Sequence, residues 1–160
     1  MMFLIVICGM NKKDKEIIIP HDSIRLRIIS NSDNSLDIKN KMELKGYIEK
    51  NIFDLIKDVK SKDEVNNIIV NNLDNIDKNI NSFLNSNDYK ISYGRNYFPK
   101  KIYKGVIYDE GYYDSLVITL GSGEGSNWWC SLFPPLCLID ENTSDVEYQF
   151  YISRIIQNFK

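Results

Sequence analysis

Shortly after Pro20, apolar and polar residues alternate along the chain, and this pattern predicts a strand. Ile24, Leu26 and Ile28 fall on one side of an extended chain, and two arginines, Arg25 and Arg27, fall on the other. Alternation with a period of two is typical of a strand that buries one face. We therefore expect the Ile–Leu–Ile face in the core and the two arginines on a polar, solvated face.

The next part of the chain has the apolar spacing of two successive helices. One stripe runs from Leu44 to Val59 at spacings of three and four residues, and a second runs from Val65 to Leu84. The pattern breaks near Lys60, where Ser61 and Glu64 have the spacing of a capping box. Each helix then has one apolar face. We expect a helical hairpin that buries both stripes against a sheet.

From Tyr89 onward the period returns to two, and the chain ends in a further helical pattern. Residues 89–93, 103–108 and 112–120 read as strands, and residues 146–159 read as a terminal helix that follows a capping-box spacing. The order of elements is strand, two helices, several strands and helix. This order is typical of the α+β class. We predict a mainly antiparallel sheet packed against the helical hairpin, with a C-terminal helix.

Composition favours one globular domain and excludes one class of partner. The chain has 160 residues, of which 43% are hydrophobic, so it can bury an adequate core. Its formal net charge is -2 and its pI is about 5.5. Nucleic-acid binding needs a basic face. We therefore expect no nucleic-acid partner, and we expect residues 17–160 to form a single domain.

The first ten residues allow three interpretations. Met1 to Met10 read MMFLIVICGM, a run too short to cross a bilayer as a helix. Its length matches the apolar region of a signal peptide, but no Lys or Arg precedes it and no small-x-small cleavage site follows. A first strand, or a lipid anchor on Cys8, is the alternative. We assign residues 1–16 to a short export-signal-like segment and linker.

One segment near the C-terminus concentrates unusual residues. Both tryptophans, two of the three cysteines and a Pro-Pro pair lie within residues 123–140. Adjacent residues of an extended chain point to opposite sides, so if Trp128 or Trp129 faces the core, the other faces out. An exposed tryptophan beside the turn formed by residues 133–136 has the composition of a binding hot spot. We expect a rigid recognition loop over residues 127–137.

Catalytic, metal-binding and phosphate-binding patterns are weak. Cys130 and His21, the one histidine, are the components available for a thiol dyad, and a thiol-dependent hydrolase built on Cys130 is the alternative function. A single histidine makes zinc binding unusual. The glycines of LGSGEGS lack the phosphate-loop spacing and favour sharp turns instead. We expect no enzyme activity, no cofactor, no metal and no small-molecule substrate.

Cys130 and Cys137 are close enough in sequence to form a disulfide. Six residues separate them, and the Pro-Pro pair between them folds the segment back. Two reduced, buried cysteines fit the same spacing. Sequence spacing leaves both states open.

Three stretches resemble the stage II sporulation protein R family. They are LGSGEGSNWWCSLFPPLCLID at residues 120–140, IPHDSIRLRIISNSD at residues 19–33, and Phe98-Pro99 followed by YYDSLVITLG. Together they cover about residues 17–140. The string NWWC…FPPLC is long and unusual, and it is the most specific part of the resemblance.

The resemblance implies a secreted signal rather than an enzyme. Such proteins are exported from the forespore into the intermembrane space, where they trigger a membrane-embedded aspartic protease, stage II sporulation protein GA. That protease matures pro-sigma-E in the mother cell. The same resemblance favours export and a Cys130–Cys137 bridge. The candidate partner-binding residues are Asn127, Trp128, Trp129, Phe133, Pro134, Pro135, Leu136, Arg25 and Arg27.

Overall fold

The computed structural model of the chain describes residues 16–137, 139 and 142–159. The elements, in chain order, are β1 (Ile17–Ile18), β2 (Ile24–Ile29), α1 (Ser35–Ile56), α2 (Lys62–Leu84), β3 (Tyr89–Phe98), β4 (Lys101–Tyr103), β5 (Val106–Tyr108), β6 (Gly111–Leu120), β7 (Asn127–Phe133) and α3 (Asp145–Asn158). The predicted α+β class, helical hairpin and C-terminal helix are confirmed. The expected export-signal-like segment falls almost entirely on residues 1–15, outside the described residues.

The strands form two small sheets, and both are mixed. The larger sheet has the order β3-β6-β2-β7, with β2 parallel to β6 and its other two pairs antiparallel. The smaller sheet has the order β1-β5-β4, with one parallel and one antiparallel pair. Parallel strands need a long crossover between them. The segment from α1 to β5, which includes the helical hairpin, supplies that crossover from β2 to β6.

One face of the larger sheet and the helical hairpin form the main core. Ile24, Leu26 and Ile28 are fully buried there, as the alternation predicts. The stripes of α1 and α2 pack against them, which confirms that each helix buries one apolar face. Asn34 caps α1 and Ser61 caps α2, each accepting a backbone N–H three residues ahead.

The opposite face of the larger sheet is covered in part. A second core, formed by Ile19, Val106, Tyr108, Leu136, Tyr148 and Ile152, packs there between the larger sheet, the smaller sheet and α3. Within it the hydroxyls of Tyr108 and Tyr148 share a hydrogen bond of 2.6 Å. In the part of the chain described here, no helix is both long and apolar enough to cross a bilayer.

Candidate functional site

The first part of the predicted recognition loop is a strand. Asn127–Phe133 forms β7 at the edge of the larger sheet, antiparallel to β2. The loop expectation is therefore wrong for these residues. Trp128, Cys130 and Leu132 alternate with Trp129 and Ser131, and aromatic side chains favour strands. The neighbouring glycines and prolines obscured this alternation in the sequence.

A disulfide joins the strand to the turn that follows it. Cys130 and Cys137 are bridged, with Cα atoms 5.3 Å apart, and the Phe133–Pro134 peptide is cis. The backbone N–H groups of Leu136 and Cys137 donate to the Ser131 carbonyl at 3.0 and 3.2 Å. The structure thus has the bridged alternative that the resemblance favours. We call residues 127–137 the bridged segment.

The two tryptophans point to opposite sides of the sheet, but neither is exposed. Trp128 packs against the main core, and the Lys45 ammonium lies 4.9 Å from its ring centroid. Trp129 packs against the second core. The expectation that one ring faces solvent is wrong, because the sheet is covered on both faces at this point.

Most of the candidate partner-binding residues in the bridged segment are buried. Phe133 and Leu136 are 7% and 4% exposed, and Pro134 is buried too. Asn127 is exposed and Pro135 is partly exposed. Among the candidate residues of this segment, accessible surface is therefore restricted to Asn127, Pro135 and parts of the two indoles.

Arg25 is buried beside the second core, so the predicted solvated face is wrong for this residue. Its side chain is 0% exposed. The guanidinium carbon lies 3.6 Å from the ring centroid of Tyr113 and 4.9 Å from that of Trp129. The rings of Phe98 and Tyr108 lie 5.3 and 5.7 Å away. We call Arg25 and these four rings the arginine cage.

Burial in the arginine cage disfavours the charged form of Arg25. Burial lowers the pKa of Arg25 to about 10, although Tyr113, Tyr108 and Asp109 act in the opposite direction. Cation–π contacts stabilise the faces of a guanidinium, whereas its N–H groups lie in the plane and need acceptors. The Nε group of Arg25 is 3.4 Å from the Ser23 hydroxyl, and its Nη1 and Nη2 atoms have no hydrogen-bond partner among the described residues.

Arg27 is a partly exposed neighbour of the cage. Its guanidinium carbon lies 4.0 Å from the centroid of Phe98, and its Nη2 donates to the Tyr97 carbonyl at 2.5 Å. Burial lowers the pKa of Arg27 as well. Arg27 is opposite Trp129 in the β2–β7 register. The structure therefore brings together candidates that are a hundred residues apart in the sequence.

The proposed thiol dyad does not form. Cys130 is bridged and faces the main core, whereas His21 is beside Tyr113, a residue of the opposite sheet face. The His21 ring is 70% exposed and its Nε2 lies 3.5 Å from the Asp109 carboxylate. Within the described residues, no group of three or more His, Cys, Asp or Glu side chains has the arrangement of a metal site.

The glycine loop before β7 has a structural role, as the turn interpretation predicts. Gly121 and Gly123 have φ values of 52° and 68°, which disfavour other residues. The loop is tied to the start of α1, since the Ser126 N–H donates to Asp33 at 2.6 Å. Lys41, which is 5% exposed, donates to the Ser126 carbonyl at 2.9 Å. Sequence reasoning missed Lys41, because nothing in the sequence distinguishes it from the other lysines of α1, which are more exposed.

Comparison with known proteins identifies the family. The family model for stage II sporulation protein R matches residues 20–143. This range includes β2 to β7, the helical hairpin and the bridged segment. The chain belongs to the stage II sporulation protein R family. The resemblance noted in the sequence is thereby confirmed, and α3 lies beyond the matched region.

A curated relative gives the same family. The chain is 34% identical over 132 residues to stage II sporulation protein R of Bacillus subtilis (strain 168). The match covers 80% of this chain and 59% of that protein, so the chain spans little more than half of its relative. No solved structure matches the chain.

Proposed function

We propose that this protein is an exported sporulation signal that activates a membrane-embedded aspartic protease in the septum, stage II sporulation protein GA. Membership of the stage II sporulation protein R family carries the proposal, and it implies a role in stage II of sporulation. Activation triggers the maturation of pro-sigma-E in the mother cell. The protein acts in the space between the two membranes after leaving the forespore.

The Cys130–Cys137 bridge supports an extracytoplasmic setting. Disulfides form and persist in oxidising compartments and are rare in the cytosol. A bridge here makes one strand and its turn a fixed unit. A preorganised surface loses little conformational entropy on binding, which favours a ligand that acts by contact.

Activation by contact has a simple thermodynamic form. The protease exchanges between inactive and active states, and the signal binds the active state more tightly. The shift in population can be no larger than the difference between the two affinities. The contact surface on this protein would include Asn127, Pro135 and the accessible edges of Trp128 and Trp129.

Complementation of sporulating cells that lack their own stage II sporulation protein R tests this proposal. Pro-sigma-E processing is followed by immunoblot in cells that express the full chain or a variant lacking residues 1–16, in which the folded domain stays inside the forespore. We expect processing with the full chain and none with the variant. Equal processing with both chains would contradict a signal that acts between the membranes, and no processing with either would contradict activation.

A further inference from the structure

The arginine cage and Arg27 contain three buried N–H-bearing atoms without an acceptor. They are Nη1 and Nη2 of Arg25 and Nε of Arg27, and none has a hydrogen-bond partner in the described part of the chain. Both guanidinium groups contact the ring of Phe98. Unpaired buried donors are costly and rare in native proteins. Three of them around a single ring indicate a missing acceptor.

The same place has an excess of positive charge. Arg27 and Arg25 repel each other, which adds to the effect of burial on Arg25. Asp109 attracts Arg25, but its carboxylate is 3.5 Å from the exposed His21, and no hydrogen bond joins it to Arg25 among the described residues. A buried charge is normally paired. The missing acceptor is therefore expected to be an anion.

The sheet face that carries the cage is open at Gly94, two strands away from Arg25. Arg25 is opposite Ser115 in the β2–β6 register, and Ser115 is opposite Gly94 in the β6–β3 register. Residues aligned in this way present their side-chain positions on one face. A Cβ placed on Gly94 would meet no atom within 4 Å. Arg27 is partly exposed on this face, so it connects the buried donors to the solvent.

We propose that Arg27 and Arg25 form a binding site for a carboxylate on the face of the larger sheet that carries Gly94. A carboxylate is planar, and its two oxygens match the edge of a guanidinium. Its negative charge offsets the excess that both arginines create. The ligand is either a free organic acid or an acidic side chain of a partner polypeptide. This inference does not depend on the proposed function.

Direct titration tests the site. The Nε–Hε signals of Arg25 and Arg27 are followed by NMR during titration of the full chain with sodium acetate, with chloride keeping the ionic strength constant. We expect both signals to shift in a saturable way. No saturable shift at constant ionic strength would overturn the proposal, and so would saturation by inorganic phosphate without any by acetate.

A pair of arginine variants separates the site from general charge effects. Arg27→Gln is expected to weaken acetate binding about tenfold, the usual effect of losing one hydrogen bond to a charged group. Arg95→Gln is the control, because Arg95 is exposed and donates to the Tyr112 carbonyl at 3.1 Å. Arg95 is adjacent to Gly94 in β3, so it points to the other face of the sheet. Equal weakening in both variants would overturn the proposal.

Two further probes distinguish the sources of the carboxylate. One is a short, C-terminally amidated peptide with a single glutamate as its only carboxylate, and the other is the same amidated peptide with glutamine. Tighter binding of the glutamate peptide than of acetate supports a partner polypeptide. Equal affinity for the glutamate peptide and for acetate supports a free organic acid. Binding of the glutamine peptide as tightly as the glutamate peptide would contradict a carboxylate site.

Discussion

The guanidinium carbon of Arg25 lies 3.6 Å from the centroid of the Tyr113 ring, inside a core that holds no hydrogen-bond acceptor for its Nη groups among the described residues. The ring compensates one face of the cation, but the in-plane donors remain unpaired. A buried charge in this state lowers the stability of the fold, so its presence indicates a role other than stability. The arginine cage is therefore where the fold departs most clearly from ordinary core packing.

Replacement of Arg25 by methionine tests that cost. Arg25→Met keeps a long, flexible side chain among the four rings and removes an uncompensated charge. We expect the free energy of unfolding, measured with urea, to rise by about 1–3 kcal/mol, as with other buried charges replaced by apolar residues. A fall of similar size would mean that the ring contacts outweigh the desolvation of the cation.

The bridge in the bridged segment is expected to add stability. It closes a short loop, since Cys130 and Cys137 are seven positions apart. Loop-closure entropy gives about 2–3 kcal/mol for a loop of this size. Urea unfolding of the oxidised and reduced protein measures the difference, and intact mass should rise by two hydrogens on reduction. The double variant Cys130→Ser, Cys137→Ser should not respond to reductant. No change in mass would contradict the bridge.

Trp129 is expected to contribute more to stability than an exposed aromatic residue. Its ring packs against the second core and lies 5.4 Å from the ring centroid of Tyr108. Trp129→Ala should lower the free energy of unfolding by about 3 kcal/mol. Tyr112→Ala is the control, because Tyr112 is 64% exposed. If both variants lose the same stability, Trp129 is not a core residue.

Buried tyrosines should make the fold sensitive to alkali. Burial raises the pKa of Tyr89 to about 12 from an ordinary value of 10, and burial and Tyr148 raise the pKa of Tyr108 further. Below pH 10 the tyrosine hydroxyls are protonated in both the folded and the unfolded chain, so their contribution to stability is fully present. Above it the unfolded chain loses protons first, so the free energy of unfolding falls as the pH rises towards 12.

Absorbance of tyrosinate measures that effect together with urea unfolding. We expect some tyrosines to ionise only when the protein unfolds, and the urea midpoint to decrease steadily from pH 10 to 12. Tyr148→Phe removes the partner of the Tyr108 hydroxyl at 2.6 Å and should reduce the neutral-pH stability by about 1 kcal/mol. A urea midpoint that stays constant across this range would contradict the role of the buried hydroxyls.

Periodicity predicted the helical hairpin and the strand of Ile24, Leu26 and Ile28, because each of those elements buries one apolar face. It failed for Arg25, since a polar residue in alternation normally marks a solvated face. The four rings that cover Arg25 come from β3, β5, β6 and β7, which are distant from it in the sequence. Without those contacts, no local signal shows that the arginine face is covered.

The bridged segment shows a similar limit. Its unusual composition identified Trp128, Trp129 and the two cysteines as special, and their strand alternation was present in the sequence. Gly125 and the Pro-Pro pair favoured a loop because such residues punctuate turns. Whether Cys130 and Cys137 are bridged depends on the pairing of β7 with β2, which spacing alone does not determine.

Reconstitution of the signal with the protease tests the central claim most directly. Vesicles that contain stage II sporulation protein GA and pro-sigma-E inside receive the oxidised protein on the outer face, and cleavage is followed by immunoblot. We predict cleavage that depends on the added protein and saturates with its concentration. Cleavage at the same rate without the protein, or none at saturating concentration, would contradict a signal that activates the protease by contact.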